Sequence, residues 1–173
     1  MLYLVTGGAG SGKSAFAEGL ITASPHATRV YLATMQGGDG ESERRIARHR
    51  AMRAGKGFVT LERPRDLAGA PVPEGSAVLL EDLSNLTANE YFSPLGPAGA
   101  GERVLAGVAH LCERAALVVV VANELYSDGL AYDGDTAAYL ACLSGLARAI
   151  AARADRVYEV VCGLSVCWKG EGS

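Results

Sequence analysis

Gly7-Gly8-Ala9-Gly10-Ser11-Gly12-Lys13-Ser14 decides the reading of this chain. The stretch fits G-x-x-x-x-G-K-[ST], the pattern of a phosphate-binding loop. It follows the apolar run Leu2 to Thr6, read as a buried strand, and precedes Lys13 to Ala23, read as a helix ending near Ser24-Pro25. Glycines admit positive backbone dihedrals, so successive N–H groups turn inward toward phosphate oxygens. The helix N-terminus adds the positive end of its dipole. Lys13 reaches toward β- and γ-phosphates, and the Ser14 hydroxyl suits Mg²⁺.

Such a loop needs an acidic metal partner at a neighbouring strand end. Ala77 to Glu81 is a continuous apolar strand closing on Glu81-Asp82. Adjacent strand residues face opposite ways, so only one acid is expected to point at the metal. Glu81 is favoured and Asp82 is the alternative, the latter also suited to cap the next helix.

Strands and helices alternate along the rest of the chain. Further strands are read at Arg29 to Thr34, Phe58 to Glu62, Leu117 to Ala122, Arg156 to Cys162 and Ser165 to Lys169. Helices are read at Glu41 to Ala54, Ser84 to Tyr91, Glu102 to Ala115 and Asp135 to Ala154. Gly37 to Gly40 is a loop, Pro64 to Gly75 a connection, and Ser93 to Gly101 a flexible insertion. Near-continuous apolar strands between helices mean an α/β fold with a mostly parallel sheet covered on both faces. With 173 residues, residues 1–173 are expected to form one P-loop nucleotide-binding domain.

Composition narrows the class. Half-apolar content supports a real core, and a net charge of −3 argues against nucleic acid as a partner. No apolar run is long enough to span a bilayer, and Met1 leads directly into the first strand without a basic leader. The expected location is the cytoplasm. The cysteines, Cys112, Cys142, Cys162 and Cys167, include no CxxC pair, which suits a reducing compartment. Cys162 and Cys167 are the two that the last pair of short strands would bring close.

The segment Glu41 to Ala54 reads ESERRIARHRAMRA. At helical spacing Arg45, His49 and Arg53 share a stripe flanked by Arg48 and Arg50. Two readings stand together. In one the helix is a solvated face, with pairs such as Glu41 and Arg45. In the other the arginines hold an anion, favour the neutral and nucleophilic imidazole of His49, and stabilise a leaving pyrophosphate. His49 attacking an α-phosphate would form a nucleotidyl-histidine.

Taken in order, LVTGGAGSGKS, YLAT, RIARHR, Glu62, LLED, Asn123-Glu124 and VYEVVCGLSVCWKG resemble the bifunctional adenosylcobinamide kinase / adenosylcobinamide-phosphate guanylyltransferase family of cobalamin biosynthesis. The resemblance covers essentially the whole chain. It implies phosphorylation of the adenosylcobinamide aminopropanol hydroxyl by ATP or GTP. It then implies transfer of GMP from GTP to that phosphate through a guanylyl-histidine, with Mg²⁺ as cofactor. It makes His49 the nucleophile beside Lys13. Its nucleotide contacts map to Gly7, Gly8, Ala9, Gly10, Ser11, Gly12, Lys13, Ser14, Ala33, Thr34, Met35, Arg50, Ala51, Met52, Arg53, Glu62 and Glu81. Ser14 and Glu81, or alternatively Asp82, would hold the metal. Homo-oligomers, trimers by resemblance, are implied. The chain departs from the family pattern in Asp82, where many members have Cys, and in 125–155, where the last helix is almost bare of polar side chains. The competing readings are a small-molecule P-loop kinase without guanylyl transfer and a nucleotide-dependent regulatory module.

Overall fold

The computed structural model describes residues 1–37, 40–125 and 132–170; within the second helix the side chains of Glu41, Ser42, Arg45, His49 and Met52 lie outside that description. The elements are β1 (Leu2–Gly7), α1 (Lys13–Ala23), β2 (Arg29–Ala33), α2 (Gly40–Arg53), β3 (Phe58–Glu62), β4 (Ala77–Glu81), α3 (Leu83–Tyr91), α4 (Ala100–Arg114), β5 (Leu117–Asn123), α5 (Gly134–Arg153), β6 (Arg156–Val161) and β7 (Leu164–Lys169). Among the described residues seven strands form one sheet in the order β3-β2-β4-β5-β1-β6-β7. All neighbours run parallel except β7, which is antiparallel to β6.

The apolar strands explain the layering. In β5 the side chains Val118 and Val120 face one core, with Leu2, Leu4, Val78, Leu80 and residues of α3, α4 and α5. Val119 and Val121 face the other, with Tyr3, Val5, Leu79 and Ala17 and Ile21 of α1. A strand buried on both faces has no polar side to alternate with, hence its unbroken valines. Helices on both faces of a mostly parallel sheet were the expected architecture, and they are observed.

Element ends differ from expectation by at most two residues, within the fraying range of helix and strand ends. The connection after β3 is less open than its Pro and Gly content suggests. It contains a 3-10 turn, Leu67–Gly69, and buries Leu67, Ala70 and Val72 against the core. Here α4 approaches closely: a Cβ on Gly107 would lie 2.4 Å from Leu67 Cβ. The 93–101 insertion is shorter than read, because α4 already starts at Ala100.

Cys162 and Cys167 do not meet as a pair. Val161 pairs with Leu164, leaving Cys162 and Gly163 as a two-residue hairpin turn with φ of 50° and 82°. That register sets Cys167 opposite Tyr158, and all four cysteines are free thiols. Among the described residues no helix is long and apolar enough to cross a membrane.

Candidate functional site

In an open α/β sheet, ligands bind beyond the carboxyl ends of the parallel strands. There the chain forms a cavity of about 990 Å³. One wall is the loop between β1 and α1, with Ala9, Gly10, Gly12, Lys13 and Ser14. The loop is braced from behind by the β6–β7 hairpin. Gly163 N–H donates to Ser11 O at 2.8 Å, and a Cβ on Gly7 would lie 2.5 Å from Val160 O. Position 7 therefore needs glycine for space as well as for its φ of 151°. Lys13 is 6% exposed and its Nζ donates to Gly8 O at 3.0 Å.

The floor follows from strand register. Ala33 pairs with Glu62 on one side and Glu81 on the other, so these three form a row across β3, β2 and β4. One step of two back along β2 and β3, Tyr31 pairs with Thr60, and both also line the cavity. A period of two from Ala33 and Glu62 reaches them, but only once the register is known.

Glu81 is buried beside the loop. Ser14 Oγ donates to its Oε1 at 2.7 Å, while its Oε2 is buried with no hydrogen-bond partner among the described residues. Burial, helped by the charge of Asp82, pushes this carboxyl up to about 8; the Ser14 hydrogen bond and Lys13 act in the opposite direction. A buried carboxylate with one unsatisfied oxygen next to a loop hydroxyl is a donor set that fits a hard dication. Ser14 and Glu81 are the residues here that could hold such an ion.

Asp82 lines the cavity too. Strand β4 ends at Glu81, so Asp82 follows the turn into the next helix rather than the alternation of the strand. Asp82 is the N-cap of α3. Its Oδ1 accepts from Asn85 N–H at 2.8 Å and its Oδ2 from Asn123 Nδ2 at 2.7 Å. Asn85 and Asn123 complete this side of the cavity. Asn123 pairs with Gly7, and Glu124 N–H donates to Gly7 O at 3.2 Å, so this end of β5 also anchors the phosphate loop.

Helix α2 provides the opposite wall, through Glu43, Ile46, Ala47, Arg48, Arg50 and Arg53. Arg53 turns inward and is 7% exposed. Its guanidinium lies 3.5 Å from the centroid of the Tyr31 ring, and Nη2 donates to Thr60 Oγ1 at 3.2 Å. Arg50 Nη2 meets Glu62 Oε1 at 2.6 Å, and both side chains are exposed. The side chains of His49, Arg45 and Met52, and the Glu41–Arg45 pair, lie outside the described residues. In sequence His49 falls between the two cavity-lining arginines Arg48 and Arg50.

Of the other residues expected at the site, Met35 lines the cavity. Gly7, Gly8, Ser11, Thr34 and Ala51 are not part of its lining. Thr34 is fully buried. Its hydroxyl lies 3.0 and 2.9 Å from the carbonyl oxygens of Glu81 and Asp82 and accepts from Asp82 N–H at 2.8 Å. It shapes the strand end that carries both acids.

A parallel sheet with a phosphate loop, a buried acid at the neighbouring strand end and a cavity between them define a P-loop nucleotide-binding protein. Solved structures with that architecture share the fold. The flagellar accessory protein FlaH of Methanocaldococcus jannaschii matches with a TM-score of 0.53 at 10% identity, over 98% of this chain and 78% of that one. An ATPase of a type III secretion system matches with 0.54 at 10% identity, over 96% of this chain and 56% of that one. The family model for cobinamide kinase / cobinamide phosphate guanyltransferase matches residues 3–167, and the chain belongs to that family. The bifunctional adenosylcobalamin biosynthesis protein CobP of Pseudomonas aeruginosa is 38% identical over 99% of both chains. CobU, the protein so described in Escherichia coli, is 34% identical over 96% of this chain and 98% of its own.

Proposed function

We propose that this chain phosphorylates adenosylcobinamide with ATP or GTP and then transfers GMP from GTP to the product, through a guanylyl intermediate on His49. The observation that carries this reading is a single cavity with the phosphate loop on one wall and the arginine-bearing helix α2 on the other.

In the first reaction the loop backbone and Lys13 hold the β- and γ-phosphates. The acceptor hydroxyl oxygen attacks the γ-phosphorus, its bond to the β-phosphate oxygen breaks, and the nucleoside diphosphate leaves while the hydroxyl proton passes to solvent. Ser14 and Glu81 would hold Mg²⁺, which would supply charge neutralisation for the phosphates. In the second reaction a ring nitrogen of His49 attacks the α-phosphorus of GTP. The P–N bond forms as the bond to the β-phosphate oxygen breaks, and pyrophosphate leaves with the electron pair. Arg48 and Arg50, which line the cavity, would offset that charge. The phosphate of adenosylcobinamide phosphate then attacks the same phosphorus, and the P–N bond breaks to regenerate His49.

A cytoplasmic homo-oligomer is the working form in this reading. Incubation with Mg²⁺ and α-³²P-GTP followed by a denaturing gel tests it. Acid-labile, alkali-stable label in the wild type and none in His49→Ala is the expected result. Intact GTP binding with no label in either protein overturns the covalent mechanism.

A further inference from the structure

The charged pair of Glu18 and Lys56 lies outside the lining of the cavity. Glu18 is fully buried in α1, and its Oε2 meets Lys56 Nζ at 2.5 Å. Its Oε1 is buried with no hydrogen-bond partner among the described residues. Lys56 belongs to the turn that closes α2, where its N–H donates to Arg53 O at 3.0 Å. Arg29, at the start of β2, joins the same two elements. Its Nη1 donates to Lys56 O at 3.0 Å and its Nη2 to Thr22 O, near the end of α1, at 3.1 Å.

Stability gives no sufficient reason for this pair. A buried carboxylate is costly to desolvate, and here one oxygen goes unsatisfied. Apolar replacement of buried pairs is often neutral or stabilising. Geometry gives a better reason. Glu18 lies one turn beyond Ser14 on the same face of α1. Lys56 follows Arg53 by three residues. The pair therefore fixes the end of α2 to the helix that carries the phosphate loop.

We propose that Glu18 and Lys56 form a positioning pair that holds α2 over the phosphate loop for guanylyl transfer. The inference rests on the two-step reading above. Phosphoryl transfer draws on β1, α1 and β4, which are joined without the pair through β5 and the Ser14–Glu81 bond. Attack by His49 on the α-phosphorus draws on α2, whose end the pair holds together with Arg29. Small displacements of a reacting group are expensive in rate.

The test uses Lys56→Met, Lys56→Arg and the double variant Glu18→Leu/Lys56→Met. Three quantities are measured: the single-turnover rate of label uptake from α-³²P-GTP, adenosylcobinamide-dependent ADP release from ATP, and Tm. Lys56→Met is expected to slow label uptake about ten- to hundredfold. ADP release should stay within about twofold of wild type. Lys56→Arg should restore labelling. The double variant, free of an unpaired buried charge, should melt at or above the wild-type temperature and still label slowly. Equal loss of both activities in step with Tm would overturn the proposal, as would a folded double variant that labels at the wild-type rate. A wild type that takes no label overturns the covalent reading and this proposal together. A labelled wild type beside an equally labelled Lys56→Met overturns this proposal alone.

Discussion

Ser14 donates its hydroxyl hydrogen to Glu81 across 2.7 Å, tying the first turn of α1 to the end of β4. This bond brings the loop hydroxyl and a buried carboxylate together before any nucleotide arrives. Such preorganisation matters because charge stabilisation in a dry site needs no reorganisation during reaction.

Glu81→Gln should therefore lower phosphoryl transfer by about a hundred- to a thousandfold, the range seen when one preorganised electrostatic group is removed. Tm of the nucleotide-free protein near neutral pH should stay close to wild type, because burial pushes the Glu81 carboxyl up to about 8 and the amide replaces a largely neutral group of similar shape. Steady-state ADP release and calorimetric melting measure the two effects on one preparation. A fall in Tm with activity retained would make Glu81 a structural residue.

Arg50 and Glu62 make a different kind of contact. Their 2.6 Å pair is exposed on both sides. Exposed pairs contribute roughly 0–1 kcal/mol, so Glu62→Gln should leave Tm almost unchanged. A role for Glu62 in holding nucleotide should instead raise the KM for GTP severalfold. Initial rates across GTP concentrations test this, and an unchanged KM would confine Glu62 to the surface pair.

Gly107 tests packing rather than chemistry. Its added Cβ would sit 2.4 Å from that of Leu67, which is 1% exposed. Gly107→Ala should destabilise the fold by about 1–3 kcal/mol, the usual cost of overpacking. Leu67→Ala in the same chain should recover part of that loss, since it clears the clashing side chain. Urea denaturation of the two single variants and the double closes the cycle. Strict additivity would mean that the two sites do not touch.

The contrast between these sites shows what the sequence carried. The phosphate loop is legible because its chemistry needs a contiguous run, Gly7 to Ser14, with a strand before it and a helix after it. The acids of β4 are legible because they interrupt an apolar strand. Tyr31, Thr60 and Asn123 meet the cavity only through pairings with distant strands, which no local pattern encodes. The helix pattern gives Arg53 as one more charge on a stripe and the resemblance gives it as a nucleotide contact, yet neither places it on Tyr31, a distant partner in the chain on which it is buried. Cys162 and Cys167 illustrate the same limit: a two-residue turn sets the register and separates them.

Asp82 offers the sharpest separation of roles. As the N-cap of α3 it accepts from Asn85 N–H, and as a cavity residue it accepts from Asn123. Asparagine caps helices about as well as aspartate, whereas alanine does not. Asp82→Ala should thus cost about 1 kcal/mol or more in urea unfolding. Asp82→Asn should stay near wild type in stability. If the carboxylate serves the cap and Asn123 alone, Asp82→Asn should also keep phosphoryl transfer within a few-fold, about the effect of a mild substitution. If it shares the metal with Glu81, removing its charge should raise the Mg²⁺ concentration needed for half-maximal activity while leaving unfolding unchanged. The position of Ser14 on Glu81 rather than on Asp82 favours the first outcome. Titrating Mg²⁺ with Asp82→Asn and Glu81→Gln side by side decides it, and an equal Mg²⁺ shift in both would divide the metal between the two acids.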